Sequence, residues 1–337
     1  MSHAPPPIRS RLVVAGAACL GVLLPACSAH SPSTLKADGP GTRTIAGLWW
    51  FMFAVSAAVI LLVTVLILVG IRPRLKARSE LETPPWSKAL MVGGGVIFPV
   101  VVLSVLWVLT LHDMSALSVP ATSPALTVNV IGHQWWWEVR YPTQGVVTAN
   151  DVHIPVGQPV RLNLTTADVN HSFWVPQLTA KTDMIAGRLN TMWLQADKPG
   201  VYRGQCAEYC GLQHANMIFY VVADARVAFA RWMSQERQPP VQPSDPTLQQ
   251  GQQAFVTSAC TACHTIQGTT ANGRVGPDLT HFGSRVSIGA GAVPNTAGNL
   301  GGWIIDSQSI KPGNIMPPIQ VAARQLQALI QYLESLK

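Results

Sequence analysis

The sequence predicts a membrane-anchored multidomain chain: a two-helix transmembrane hairpin, an all-β sandwich or barrel, and a separate C-terminal unit. Three observations carry this. Two long runs, 45–71 and 89–111, hold no charged residue. Beyond about residue 120, apolar and polar residues alternate at the strand period of two. A proline-rich stretch at 238–246 then separates a Cys-x-x-Cys-His segment from all that precedes it. Composition agrees. Of 337 residues, 48% are hydrophobic and only 12% charged, about half the usual quarter. That balance excludes a disordered chain and disfavours a wholly soluble one. Net charge is +7, but nine of the 23 basic residues lie before residue 90. Residues 120–225 carry six basic and seven acidic side chains, so no nucleic-acid surface is expected there.

Arg9 and Arg11 precede the apolar run 12–24, the pattern of a signal peptide. Leu24-Pro25-Ala26-Cys27 resembles a bacterial lipobox. It makes 1–26 a lipoprotein-type signal peptide and Cys27 the lipidated N-terminus. The run 45–71 would form a helix of about 40 Å and 89–111 one of about 34 Å. Either spans a hydrocarbon core of about 30 Å. Trp49 and Trp50 suit an interfacial position. Gly93-Gly94-Gly95 and Pro99 interrupt the second run, as packed membrane helices tolerate. Between the runs, Arg72, Arg74, Lys76, Arg78 and Lys88 outnumber Glu80 and Glu82. The positive-inside rule places this loop in the cytoplasm. The hairpin therefore occupies 45–111 of a multi-pass protein of a bacterial inner membrane, and all later residues lie on the periplasmic face.

The six cysteines fall in three pairs, a spacing that suggests cofactor attachment over scaffold disulfides. In the β region, Leu126, Val128 and Val130 alternate, as do Trp135, Trp137, Val139 and Tyr141, and Val160, Leu162 and Leu164. A last apolar run covers 217–222. Before it lie Cys206, Cys210, His214 and Met217, spaced Cys-x3-Cys-x3-His-x2-Met, with His171 upstream. Two thiolates, two imidazoles and a thioether form a soft set that suits copper. One cysteine would describe a mononuclear site. The second allows two thiolates to bridge two copper ions, each taking one histidine, with the methionine sulfur and a backbone carbonyl as weak ligands. A disulfide or a zinc site is the alternative, though methionine is a poor zinc ligand.

Residues 226–245 read as a short helix, with Asp224 placed to cap it, followed by a linker. Its proline-rich part would extend about 30 Å as polyproline II. Cys260-Thr261-Ala262-Cys263-His264 then reads as covalent haem c attachment, with His264 on the iron. Met316, before two prolines, is the expected distal ligand. A thioredoxin-like pair would not need the histidine.

At these residues the chain resembles subunit II of haem–copper cytochrome c oxidases, with their dinuclear CuA centre. The resemblance is carried by Cys206-Ala207-Glu208-Tyr209-Cys210 through Met217, by Asp168 to Phe173, and by Lys181-Thr182-Asp183. Gly187 to Asn190, Gly132 to Trp137 and the helix hairpin add to it. It covers about 45–225. It implies a cupredoxin-like CuA domain at 120–225, with CuA held by His171, Cys206, Cys210, His214 and Met217 and by the Glu208 carbonyl. The Glu208 carboxylate would reach a magnesium or manganese ion shared with subunit I. Trp135 would accept electrons, and Asp183 and Arg188 would tie the loop to subunit I. Residues 246–337 resemble a class I cytochrome c, an all-α domain, through Cys260 to His264, Gly276 to Leu279, the haem-packing Trp303, Met316 and a closing helix at 322–336.

The implied function is electron input to a terminal cytochrome c oxidase of the respiratory chain. Electrons would pass from haem c to CuA and on to subunit I, where oxygen is reduced to water and protons are pumped. The implied partners are subunit I, subunit III, membrane lipid, and a donor such as a cytochrome c or a bc1-type complex. A CuA-containing nitric oxide reductase and a membrane-anchored shuttle without an oxidase are the alternatives. One departure stands out. Many relatives carry a glutamate early in the second membrane helix, at the mouth of a proton path, and residues 89–95 hold none. Fusion of the cytochrome would turn an encounter into an intramolecular step at millimolar effective concentration.

Overall fold

A computed structural model describes residues 32–71, 86–117 and 126–337. The signal-peptide and lipidation readings, Cys27 included, lie outside those residues. So does the basic loop from Arg72 to Glu82.

Helix α1 (Pro40–Ile71) opens on a proline, whose missing N–H is harmless in the first turn. It starts before the uncharged run because its first turns are tied to the β domain. Thr42 donates to the Pro176 carbonyl, and Arg43 pairs with Asp197. The second run folds as α2 (Trp86–Val92), a π-helical turn (Gly93–Ile97) and α3 (Phe98–Leu117). The three glycines widen the helix instead of breaking it. Pro99 offers no N–H to the carbonyl four residues back, and its ring crowds that carbonyl; the wider turn relieves both. α1 packs on α3. Their large side chains, Leu62, Ile67, Val101 and Trp107 among them, are exposed outward, as lipid-facing residues are.

The β domain consists of β1 (Leu126–His133), β2 (Trp136–Tyr141), β3 (Val146–Ala149), β4 (Asp151–Pro155), β5 (Val160–Thr166), β6 (His171–Trp174), β7 (Thr182–Met184), β8 (Asn190–Leu194), β9 (Gly200–Cys206) and β10 (Ile218–Asp224). One sheet runs β3-β2-β1-β5-β8 and the other β4-β10-β9-β6-β7. β1 pairs parallel with β5 and β10 with β4; the other pairs are antiparallel. The result is a cupredoxin-like sandwich. The period-two residues fill its core: Val128, Val130, Trp137, Val139, Tyr141, Val160, Leu162 and Leu164 are completely buried. The apolar run after Met217 also alternates, with Phe219 and Val221 inward and Ile218 and Tyr220 less buried.

Helix α4 (Arg226–Glu236) follows. Asp224 does not cap it. Its carboxylate bonds His153 Nδ1 at 2.8 Å, and the cap position, Ala225, has no side-chain bond. The C-terminal domain is built from α5 (Pro246–Val256), α6 (Cys260–Cys263), the short pair β11 (Ser287–Ile288) and β12 (Val293–Pro294), α7 (Ala297–Ile310) and α8 (Ala323–Ser335). Asp245 caps α5 by accepting from the Thr247 and Leu248 amides. α5 crosses α8 at Gly251, where a Cβ would lie 2.1 Å from the Ala328 carbonyl. Only glycine permits that approach.

The linker is no free spacer. Gln242 donates to the Gly268 carbonyl, and His281 Nε2 donates to the Gln238 carbonyl. The helical domain rests on the β domain, and three buried charged groups meet at the seam. Asp151 of β4 accepts from the Val286 amide at 2.8 Å. Glu236 of α4 and Arg285 of the helical domain interact electrostatically with each other and with Asp151. Burial pushes Asp151 up to about 6 and Glu236 up to about 7. Both carboxyls therefore bind more protons folded than unfolded between about pH 4 and 7. Stability falls as pH rises through that window. For Glu236 the change amounts to roughly 3 kcal/mol at most. Glu236→Gln should flatten the pH dependence of thermal unfolding between pH 5 and 7. An unaltered slope would place the dependence elsewhere.

Candidate metal centre and the adjoining crevice

His171 opens β6, Cys206 closes β9, and Met217 stands just before β10. Phe173 pairs with Cys206 across β6 and β9, which brings the upstream histidine beside the loop. The Cys206 and Cys210 sulfurs lie 3.8 Å apart, both buried and both free. They are not a disulfide. His171 Nδ1 lies 3.8 Å from Cys206 Sγ, and His214 Nδ1 lies 3.7 Å from Cys210 Sγ. Met217 Sδ is 3.7 Å from Cys210 Sγ, and the Glu208 carbonyl oxygen is 3.1 Å from Cys206 Sγ. The structure thus gathers the other four predicted groups around the two sulfurs.

The electrostatics suit a pair of thiolates sharing cations. The Cys210 thiol beside it holds the Cys206 pKa down, helped by His171 and nearby backbone against the opposing effect of burial. Cys210 is pushed up, chiefly by the negative Cys206 and by burial. The two sulfurs share the strain of one negative charge beside another, which added positive charge would relieve. Gly132 of β1 leaves room for the His171 ring, since a Cβ there would lie 2.7 Å from His171 Cδ2. The donor set and this cradle fit a dinuclear copper centre.

Asp168 was not singled out from the sequence. Its carboxylate accepts from His171 Nε2 at 2.8 Å, and from the Gln134 and Val169 amides. With Nε2–H committed, Nδ1 carries the lone pair toward the sulfurs. The i,i+3 spacing of an acid before a ligand histidine was the available signal. Asp168→Asn should weaken copper binding by roughly 10–100-fold while saturating copper still restores the spectrum. Unchanged affinity in a copper titration would remove this role. His133 and His153 serve locally: each bonds a carboxylate and stacks on a tryptophan, Trp136 and Trp232 respectively.

The Glu208 carboxylate is half-exposed, 3.9 Å from Lys181 Nζ. Lys181 also pairs with Asp183 at 3.3 Å. Trp135 donates its indole N–H to the Cys210 carbonyl at 3.0 Å, and Gln134 donates to the same oxygen at 2.7 Å.

Trp135 also lines a crevice shared with the helical domain, whose walls include Cys260, Cys263, His264, Trp303 and Met316. The two thiols are unpaired and one helical turn apart on α6. His264 Nδ1 donates to the Pro277 carbonyl at 2.8 Å, which leaves Nε2 with the lone pair. Burial pulls the His264 pKa down, favouring the neutral, ligating form. A Cβ at Gly276 would lie 2.6 Å from His264 Cε1. Also on the crevice wall, the Met316 carbonyl accepts from Ser307 and Gln308, and its amide donates to Asn314. α7 breaks at Asp306, whose carboxylate caps the last turn that carries Ser307 and Gln308. Attachment thiols, a neutral histidine and a fixed methionine around one apolar crevice fit a haem c.

A soft-ligand centre and a haem crevice that share one wall, both carried by a helical hairpin, make this an electron-transfer protein of the copper-and-haem class. Comparison with known proteins narrows it. Residues 143–224 match the family model described as cytochrome c oxidase subunit II, periplasmic domain, and residues 248–337 match cytochrome c. Cytochrome c oxidase subunit 2 of Alkalihalophilus pseudofirmus is 43% identical over 62% of this chain and 61% of its own length. The chain thus spans less than two thirds of that relative. The same subunit of Bacillus sp. strain PS3 is 35% identical over 72% of each chain, and that of Bacillus subtilis 32% over 69%. The chain belongs to the cytochrome c oxidase subunit II family and carries a cytochrome c domain at its C-terminal side. Membership implies CuA in the β domain and haem in the helical domain, and the two apolar helices give the chain a membrane anchor.

Proposed function

We propose that this chain is the electron-input subunit of a terminal cytochrome c oxidase, receiving electrons at haem c and delivering them through CuA to subunit I, where oxygen becomes water. The observation that carries this reading is Trp135. It lines the haem crevice while its indole N–H holds the carbonyl of Cys210. Haem c and CuA, when bound, each supply one-electron chemistry. Cys206 and Cys210 would bridge the copper pair, with His171 on one ion and His214 on the other. Met217 and the Glu208 carbonyl complete the set. Cys260 and Cys263 would attach the haem, with His264 and Met316 on the iron.

Further parts of this reading rest on the family pattern. The Glu208 carboxylate would meet a magnesium or manganese ion at subunit I, for which a hard oxygen ligand is suited. Asp183 and Arg188 would brace the same interface. Both folded domains would lie on the periplasmic face, with Cys27 lipidated, subunit III adjacent and a cytochrome c or bc1-type complex as donor. The test is copper and haem content, with electron paramagnetic resonance, on the purified complex. Two coppers per haem c in addition to the copper of subunit I, sharing one unpaired electron, support the proposal. One copper with a blue-copper signal would refute it.

A further inference from the structure

We infer that Lys311 is a positioning residue that pins the cytochrome domain to the copper domain for electron transfer between them. This rests on the electron route proposed above. Lys311 follows the last turn of α7 and is 2% exposed. Lysine is almost never buried so fully unless paired. Among the described residues no carboxylate pairs with it. Its ammonium donates instead to three carbonyls: Trp135 at 2.9 Å, Asn216 at 2.9 Å and Gly289 at 2.7 Å. An ammonium has three donors, and each is used once.

The origin of the three acceptors matters. Trp135 and Asn216 belong to the copper domain; only Gly289 belongs to the cytochrome domain. Separating the domains would therefore strip two of the three acceptors. Burying an ammonium costs several kcal/mol unless its hydrogen bonds are completed, so this side chain favours the docked state over a loosely touching one. It also joins particular parts. Trp135 is the wall between crevice and metal loop. Asn216 precedes the Met217 sulfur. Lys311 itself begins the segment that ends in Met316. One side chain thus ties the loop of the haem's distal ligand to the residue that bonds the Cys210 carbonyl.

The surrounding seam is equally specific. The Ile218 amide donates to the Ala290 carbonyl at 3.0 Å, and Gln213 donates to the Pro312 carbonyl at 2.6 Å. At Gly291, with φ +79°, a Cβ would lie 2.5 Å from Ile218 Cβ. At Gly313, with φ +82°, it would lie 2.5 Å from Leu212 Cδ2. These loops interlock with the copper loop closely enough to fix the relative position of the two cofactor sites. Position matters in such a step, since the rate of electron transfer falls steeply as the two centres move apart.

The test uses the full chain in its assembled complex. Lys311→Met keeps the length and removes the charge and donors; Lys311→Gln, a second variant, keeps donors without charge. Two quantities are measured: electron transfer from photoreduced haem c to copper, and hydrogen exchange of the Ile218 amide, which donates across the seam. We expect transfer to slow severalfold and Ile218 exchange to quicken, with copper content and the methionine–histidine haem spectrum retained. Unchanged Ile218 exchange in both variants overturns the pin. Faster exchange with unchanged transfer overturns its role in electron transfer. Loss of haem or copper from both variants overturns it too, since Lys311 would then be needed for folding. Absence of transfer from haem to copper in the unaltered protein would instead overturn the electron route, which the exchange measurement does not depend on.

Discussion

Replacing Cys206 by serine is expected to abolish the mixed-valence dinuclear copper signal. The two sulfurs lie 3.8 Å apart with a histidine nitrogen beside each. That arrangement would let both thiolates hold a copper pair, and serine oxygen is too hard a donor to replace one of them. Electron delivery to subunit I should fall with it. The measurement is electron paramagnetic resonance together with copper content. The expected result is at most one copper per chain and no signal shared between two nuclei. Haem content should be unchanged, because Cys260, Cys263 and His264 stand on a different domain. A variant that kept the two-copper signal would remove Cys206 from the ligand set.

Met316→Ala is expected to lower the haem c reduction potential. Thioether ligation opposite histidine raises that potential, and axial ligands together tune haem potentials over about 0.8 V. A drop on the order of 100 mV is therefore the expected scale. It would steepen the driving force from haem c toward copper but make reduction of haem c by its own donor less favourable, so input should slow at that first step. Met316 is well placed for this role. Its backbone is held on both sides by Ser307, Gln308 and Asn314, so the loop should persist when the side chain is cut back. Potentiometry of the variant decides it. An unmoved potential would mean that another group faces the iron.

The fusion acquires a more definite meaning from these contacts. Tethering alone raises the effective concentration of one domain near the other. Here the proline-rich segment lies against the cytochrome domain, and the crevice opens directly onto Gln134, Trp135 and Trp136. The domains are docked as well as tied.

Much of this was legible in the sequence because it depends on local spacing. Uncharged runs of membrane length, strand alternation, Cys-x3-Cys-x3-His-x2-Met and Cys-x-x-Cys-His each fit within a few turns or one loop. A donor set is chemically recognisable wherever the chain later carries it. His171, 35 residues from Cys206, was legible as a candidate ligand by its residue type, but no local spacing ties it to the loop; the pairing of β6 with β9 brings it into place. The same limit explains the misreading of Asp224. As a sequence neighbour of α4 it looked like a cap, but in the fold its nearest basic partner is His153 on the adjacent strand.

What the sequence by itself determined, then, is the inventory: anchor, sandwich, cytochrome, and the ligand side chains. The tertiary structure alone decided how these parts meet. Asp168 orienting His171, Trp135 standing between two sites, and Lys311 reaching 176 residues back to its carbonyl are contacts between distant segments. No periodicity or motif encodes them. They arise because burying a charge or a polar group demands a partner, and which partner is within reach is a property of the folded chain.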